Sequence, residues 1–211
     1  MKKAYLFDLD GTLLDTLRDL AESVNYILNK YGYPGHTTEQ IRQMLGNGAR
    51  NLMRLALPPE TEEAQLEICL ADYKAYYEQH CQDHSCPFPG IEELLSALRQ
   101  RGAQVAILSN KPDGATKRLC AEYFPGIHAQ GQTETVRRKP APDGVLAILK
   151  ELNVSREDAV YIGDSEVDLE TAHNCEMDSI IVTWGFRDRE QLLRSGAKCL
   201  VDRPEEILEV I

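Results

Sequence analysis

The sequence predicts an α/β fold: a doubly wound parallel sheet with an all-helical segment inserted near its start. Three observations carry this reading. Short apolar runs at Ala4–Phe7, Val105–Leu108, Val160–Ile162 and Ser179–Thr183 alternate with segments of helical periodicity, the order that a parallel sheet covered by helices produces. Between Thr12 and Gln79 the alternation lapses and only helical patterns occur. Polar residues (Asp8 and Asp10, Ser109, Lys139, Asp164 and Asp168) fall just after apolar runs or in the matching loops, and in open α/β sheets ligands bind beyond the carboxyl ends of the strands. The expected division is a core over 1–15 and 84–211 and a helical domain over 16–83.

Each element has a local reason. Ala4–Phe7 is a buried strand by its continuous apolar character, and it stops at Asp8-Leu9-Asp10-Gly11. Leu17–Tyr31 carries Leu20, Val24, Ile27, Leu28 and Tyr31 on one helical stripe, ended by Gly32 and Pro34. Thr37 opens the next helix, with Gln40 completing a capping box, and Gly46-Asn47-Gly48 breaks it. Ala49–Leu57 is helical up to Pro58-Pro59, and a longer helix spans about Glu62 to Gln79, with Leu66, Leu70 and Tyr73 on one face. His80-Cys81-Gln82-Asp83-His84-Ser85-Cys86 holds four soft-metal ligand types. Zinc sites draw their ligand pairs from separated segments, so a linker between domains is the better reading.

From Cys86-Pro87-Phe88-Pro89-Gly90 the pattern changes to alternating units. A helix over Ile91–Arg101 precedes the strand Val105–Leu108, and Ser109-Asn110-Lys111-Pro112 is expected as a polar loop. A helix over about Asp113–Tyr123 leads to a short strand near Ile127–Ala129 and an unusually polar stretch up to Val136. Asp143 is placed to cap a helix over Gly144–Leu152. The strand Val160–Ile162 runs into Gly163-Asp164-Ser165-Glu166-Val167-Asp168, followed by a helix around Leu169–Cys175. Ser179–Thr183, Leu200-Val201 and a helix over Pro204–Val210 complete the chain.

Composition excludes several classes. With 23 basic against 34 acidic side chains among 211 residues, the net charge of −11 argues against a nucleic-acid or anionic-membrane surface. No apolar run approaches membrane-spanning length, and Met1-Lys2-Lys3 leads straight into a strand without a signal-peptide pattern, so the cytoplasm is the expected location. Six scattered cysteines fit reduced thiols.

Asp8 and Asp10 alternate onto one side of an extended segment, and two like charges that close call for a cation, a shared proton, or both. Carboxylates at Asp8, Asp10 and Asp164 without histidine or cysteine suit a hard, oxygen-loving ion, hence Mg2+. Ser109 and Lys139 add a hydroxyl and a fixed positive charge, which suit phosphate oxygens. Each feature alone also reads as ordinary structure: a turn, a helix cap, a solvated lysine, a helix N-terminus. Four of them in this order point to one crevice.

Asp8-Leu9-Asp10-Gly11-Thr12, Leu108-Ser109-Asn110-Lys111, Arg138-Lys139-Pro140 and Gly163-Asp164-Ser165-Glu166-Val167-Asp168 resemble the four ordered motifs of the haloacid dehalogenase superfamily. The resemblance implies a Rossmann-like core with a helical cap. Asp8 is then the nucleophile, Asp10 the general acid/base, and Ser109 and Lys139 hold the transferring phosphoryl group. Asp8, the backbone oxygen of Asp10, and Asp164 bind magnesium, with Asp168 behind them. The second aspartate of the first motif, absent from true dehalogenases, implies phosphoryl transfer. Leu45-Gly46-Asn47-Gly48-Ala49, Ser109-Asn110-Lys111-Pro112 and Arg138-Lys139-Pro140-Ala141-Pro142 look like the phosphoglycolate phosphatase group. Thr12, Asn47, Arg50 and Asn110 are the candidate substrate contacts; Arg50 reads either as a partner for a substrate carboxylate or second phosphate or, equally, as a solvated side chain. The expected partner is a small phosphorylated metabolite and the expected assembly a monomer or homodimer. A β-phosphoglucomutase-like isomerase shares core and cap. A receiver-type module shares the aspartyl-phosphate chemistry, but its phosphorylated Asp lies mid-chain and it has no helical insertion.

Overall fold

The computed structural model describes residues 1–210. Strands run over β1 (Ala4–Phe7), β2 (Leu14–Asp15), β3 (Cys86–Pro87), β4 (Gln104–Pro112), β5 (His128–Gln132), β6 (Ala159–Gly163), β7 (Asp178–Val182) and β8 (Leu200–Val201). Helices run over α1 (Leu17–Lys30), α2 (Thr38–Met44), α3 (Gly48–Ala56), α4 (Glu63–His80), α5 (Ile91–Gln100), α6 (Asp113–Tyr123), α7 (Asp143–Leu152), α8 (Glu166–Asn174), α9 (Arg189–Arg194) and α10 (Ile207–Val210). The main sheet has the order β5-β4-β1-β6-β7-β8, and all its pairings are parallel. β1 lies between β4 and β6, which is where the winding reverses and the crevice opens at the strand ends.

Side-chain alternation explains the layering. Ala4 and Leu6 pack with Leu108, Tyr161, Val145 and Ile148 on one face of the sheet. Tyr5 and Phe7 pack with Ile107, Val160, Ile91, Leu95 and Leu119 on the other. A strand buried on both faces must be apolar throughout, as β1 is. Each fully buried Leu or Phe contributes about 1.5–3 kcal/mol.

Between β2 and β3 the chain is helical, through α1 to α4. Its two crossings from the core pair with each other: β2 and β3 form an antiparallel ladder, Leu14 opposite Pro87 and Asp15 opposite Cys86. Next to it, Asp19 Oδ2 on α1 accepts hydrogen bonds from the backbone N–H of His84 (3.1 Å) and Ser85 (2.8 Å) and from the Ser85 hydroxyl (2.7 Å). The His80–Cys86 stretch is therefore the return linker. Thr37 and Gln40 form the expected capping box.

Several expectations are corrected. Ser109 to Pro112 is not a loop: β4 continues through it as buried strand, with its register against β5 shifting between Leu108 and Pro112. Tertiary partners for the buried polar side chains override the polar signal. The strand expected near Ile127–Ala129 is β5, but it runs on into the polar stretch as far as Gln132, as an edge strand whose outer residues meet solvent. Asp143 does not cap α7; it sits inside the first turn and pairs with Arg137 (Nη2–Oδ2 3.0 Å). α8 starts at Glu166 rather than Leu169, and α9 has no counterpart in the sequence reading.

Candidate active site

Asp8 follows the last residue of β1 and is held by Lys139, whose Nζ donates to Asp8 Oδ1 at 2.6 Å and to Asp168 Oδ1 at 2.8 Å. All three are buried. The Asp168 carboxylate is fully engaged, because its Oδ2 accepts from the backbone N–H of Asp164 and Ser165 and from the Ser165 hydroxyl. Asp168 thus fixes both Lys139 and the start of α8. Asp164 Oδ2 accepts from the Phe186 N–H at 2.6 Å, and Thr12 Oγ1 lies 3.5 Å from Asp164 Oδ1.

Oxygen atoms of Asp8, Asp164 and Asp168 come within 4.8 Å of one another, a group that could hold a metal ion. The donor set fits a hard cation, being carboxylate oxygen only. Burial pushes Asp8 up to about 7, and Asp168 and Asp10 push the same way against the pull of Lys139. Burial, with Asp168 and Asp8 as like-charged neighbours, likewise drives Asp164 well above the usual carboxylate range. Lys139 is held well above its ordinary value: burial alone would lower it, but the Asp168 and Asp8 carboxylates outweigh that. One ammonium against three carboxylates leaves the cluster short of positive charge. The backbone leaves no slack around Asp164 either, since a Cβ on Gly11 or Gly185 would fall 2.4 Å from its Oδ2.

Asp10 is held separately. Its Oδ1 accepts from Lys111 Nζ at 2.6 Å and from Thr16 Oγ1 at 2.7 Å. Lys111 Nζ also reaches the hydroxyl of Tyr77 on α4, at 2.5 Å. Lys111 is a site residue the sequence reading treated only as part of a loop. No local signal set it apart from the expected loop, because its burial, and with it the need for a carboxylate partner, appears only in the fold. Arg187 was missed as well. It is buried, pairs with Glu166 (Nε–Oε2 2.8 Å) and lines the same cavity.

That cavity measures about 70 Å3. The core lines it with Asp8, Asp10, Ser109, Lys111, Lys139 and Asp164, and the helical segment with Leu20, Leu45, Leu52, Tyr73 and Tyr77. Ser109 Oγ accepts from the Lys111 N–H at 3.2 Å, which leaves its hydroxyl hydrogen free to donate.

The four expected substrate contacts fare differently. Asn110 lines the cavity, but its amide is spent on backbone: it donates to Lys139 O and Gly46 O and accepts from the Lys139 N–H. Thr12 is buried beneath Asp164, outside the cavity lining. Asn47 is also outside it, with its carbonyl turned to Arg138. Arg50 lies on the exposed side of α3, paired with Glu63 and with Glu67 (2.6 Å) of α4. Two carboxylates one helix away are nearer partners for it than the crevice.

The comparisons with known proteins agree with this architecture. The family model described as haloacid dehalogenase-like hydrolase matches residues 5–182. Phosphoglycolate phosphatase 1 of Pseudomonas aeruginosa is 30% identical, covering 99% of this chain and 79% of that protein. N-acetylmuramic acid 6-phosphate phosphatase of the same organism is 27% identical, covering 99% of this chain and 94% of its own. A solved structure from Lactobacillus delbrueckii subsp. bulgaricus, provisionally assigned as a phosphoglycolate phosphatase, is 39% identical with a TM-score of 0.94, over 100% of this chain and 99% of that one. A lysine-paired aspartate just after β1, an acidic cluster at the neighbouring strand ends, and the family match over most of the chain agree: the protein belongs to the haloacid dehalogenase-like hydrolases, as a phosphatase.

Proposed function

We propose that this phosphatase hydrolyses a small phosphate monoester, 2-phosphoglycolate, through an aspartyl-phosphate on Asp8. The observation that carries the reading is the division of labour between the two aspartates of the first motif. Asp8 is paired with Lys139 and faces the acidic cluster, whereas Asp10 is held apart by Lys111 and Thr16. A nucleophile needs a charge partner that also tolerates an incoming anion, and Lys139 supplies it. A carboxylate that shuttles protons must stand beside the leaving group without joining the attack, and the separate anchoring of Asp10 by Lys111 and Thr16 supports that part for it.

The steps follow from these placements. An Asp8 oxygen attacks phosphorus, the ester P–O bond breaks, and Asp10 gives a proton to the departing oxygen. Asp10 then takes a proton from water as that water attacks phospho-Asp8, which releases phosphate, frees the Asp8 carboxylate and returns Asp10 to its protonated form. Ser109, with its hydroxyl hydrogen free, and Lys139 hold phosphoryl oxygens. Magnesium held by Asp8 and Asp164, with the Asp10 carbonyl, would supply the positive charge the cluster lacks and offset repulsion between nucleophile and substrate.

Two features support the glycolate ester. The helical segment closes the cavity with Leu20, Leu45, Leu52, Tyr73 and Tyr77, which offer few partners for the several hydroxyls of a sugar. Lys111, on the Tyr77 side of Asp10, provides an ammonium for a substrate carboxylate, the part first expected of Arg50. The test is phosphate release with magnesium across 2-phosphoglycolate, sugar phosphates, nucleotides, pyrophosphate and p-nitrophenyl phosphate, with Asp8→Asn as blank. A clear kcat/KM preference for 2-phosphoglycolate is expected. Broad, weak release would keep the phosphatase and remove the glycolate assignment. Isomerised sugar phosphate without free phosphate would favour a mutase.

A further inference from the structure

Three consecutive backbone carbonyls of the turn between α2 and α3 are each held by a different residue of the core. Leu45 O accepts from Arg187 Nη2 at 2.6 Å, Gly46 O from Asn110 Nδ2 at 3.2 Å, and Asn47 O from Arg138 Nη1 at 2.7 Å. Gly46 and Gly48 have φ of +107° and +76°, a backbone only glycine adopts freely, and this lets successive carbonyls turn toward the same neighbour. Each donor is one residue from the chemistry. Asn110 follows Ser109, Arg138 precedes Lys139, and Arg187 follows Phe186, whose N–H holds Asp164. The contact is reciprocal, because Arg42 of α2 donates to Phe186 O and pairs with Asp188.

We infer that Asn110, Arg138 and Arg187 are positioning residues forming a three-point clasp, which seats the 45–48 turn over the cavity and ties its seating to Ser109, Lys139 and Asp164. None of the three needs to touch substrate. The clasp reads backbone, so its strength is independent of the side chains that the helical segment offers the leaving group. Leu45, Gly46, Gly48 and Ala49 line the cavity, so a loosened turn widens the site where a leaving group sits. The inference goes beyond the proposed substrate and holds for any ester the site accepts.

Arg187 is a poor first variant, because it is buried and holds Glu166 as well as the Leu45 carbonyl, so its removal disturbs more than the turn. Arg138 is exposed, and Arg138→Met and Arg138→Lys should fold normally. Asn110→Asp keeps the acceptor for the Lys139 N–H and loses the donor to Gly46 O and to Lys139 O, so Arg138→Met is the cleaner variant. Two readouts decide the matter. The first is amide hydrogen exchange over residues 42–50 in the unliganded protein, which needs no substrate at all. The second is the ratio of kcat/KM for a small alkyl phosphate to that for the bulkier p-nitrophenyl phosphate. Arg138→Met and Asn110→Asp should each speed exchange in that segment by about tenfold, the effect of losing one charge-assisted or buried hydrogen bond. They should also lower the kcat/KM ratio, with Arg138→Lys restoring part of both. Unchanged exchange would overturn the clasp. So would faster exchange with an unchanged substrate ratio, since the turn would then be mobile without governing the site.

Discussion

Asp8 carries the clearest residue-scale consequence. Asp8→Asn should reduce phosphate release to background, because an amide is no nucleophile and cannot form the acyl phosphate; retained magnesium-dependent turnover would refute the mechanism. Asp10→Asn should impair turnover most for alkyl esters, whose leaving oxygen needs a proton, and less for p-nitrophenyl phosphate, measured as kcat on each. Titration gives a third expectation. Asp8 sits at about 7 in the folded, metal-free protein, against about 4 in an unfolded chain. Between those values the folded state keeps a proton that the unfolded state has released. The contribution of Asp8 is therefore fully present at low pH and fades as pH rises through 7. In chelator, the melting temperature should fall from pH 5 to 7.5 more steeply for the native protein than for Asp8→Asn; parallel slopes would refute the assignment. At this scale the motif residues Asp8, Asp10, Ser109, Lys139 and Asp164 were legible, since carboxylates and a lysine after apolar runs leave few other uses. Arg50 was not: from sequence alone an arginine beside a glycine turn looks like a ligand-binding group, and nothing local reveals that Glu63 and Glu67 lie opposite. Arg50→Ala should change kcat/KM by less than about twofold, as the loss of a surface ion pair implies.

At the scale of elements, periodicity located α1, α4, α5 and the central strands because their burial patterns are clean. It failed where one element borrows its stability from another. β4 reads as ending at Leu108, yet it runs to Pro112 because Asn110 finds its partner in the Lys139 segment and Lys111 finds its partners in Asp10 and in Tyr77 of α4. β5 was blurred because an edge strand need not be apolar. The ladder β2–β3 is two residues a side, too short to leave a pattern. Asp19 beside it gives an element-scale prediction. Asp19→Ala would leave the N–H groups of His84 and Ser85 without their acceptor. The expected cost is about 1–3 kcal/mol in a denaturant melt, and a variant as stable as the native protein would show that solvent replaces the carboxylate.

Across the whole molecule, the sheet supplies the chemistry at the ends of β1, β4 and β6, while α1, the 45–48 turn, α3 and α4 supply apolar walls and two phenols. The alternating runs already implied this arrangement, with helices interposed after the first strand. The sequence carried no sign that three carbonyls of the 45–48 turn meet donors from the core, because backbone carbonyls have no letter of their own. The paired crossings have a consequence for how such a protein can change over time. The helical segment leaves and re-enters through neighbouring strands, Leu14–Asp15 beside Cys86–Pro87, so it behaves as a cassette with one socket. A different helical segment, spliced between those two strands and offering any turn whose carbonyls meet Asn110, Arg138 and Arg187, could change the ester accepted while the hydrolytic machinery stays as it is.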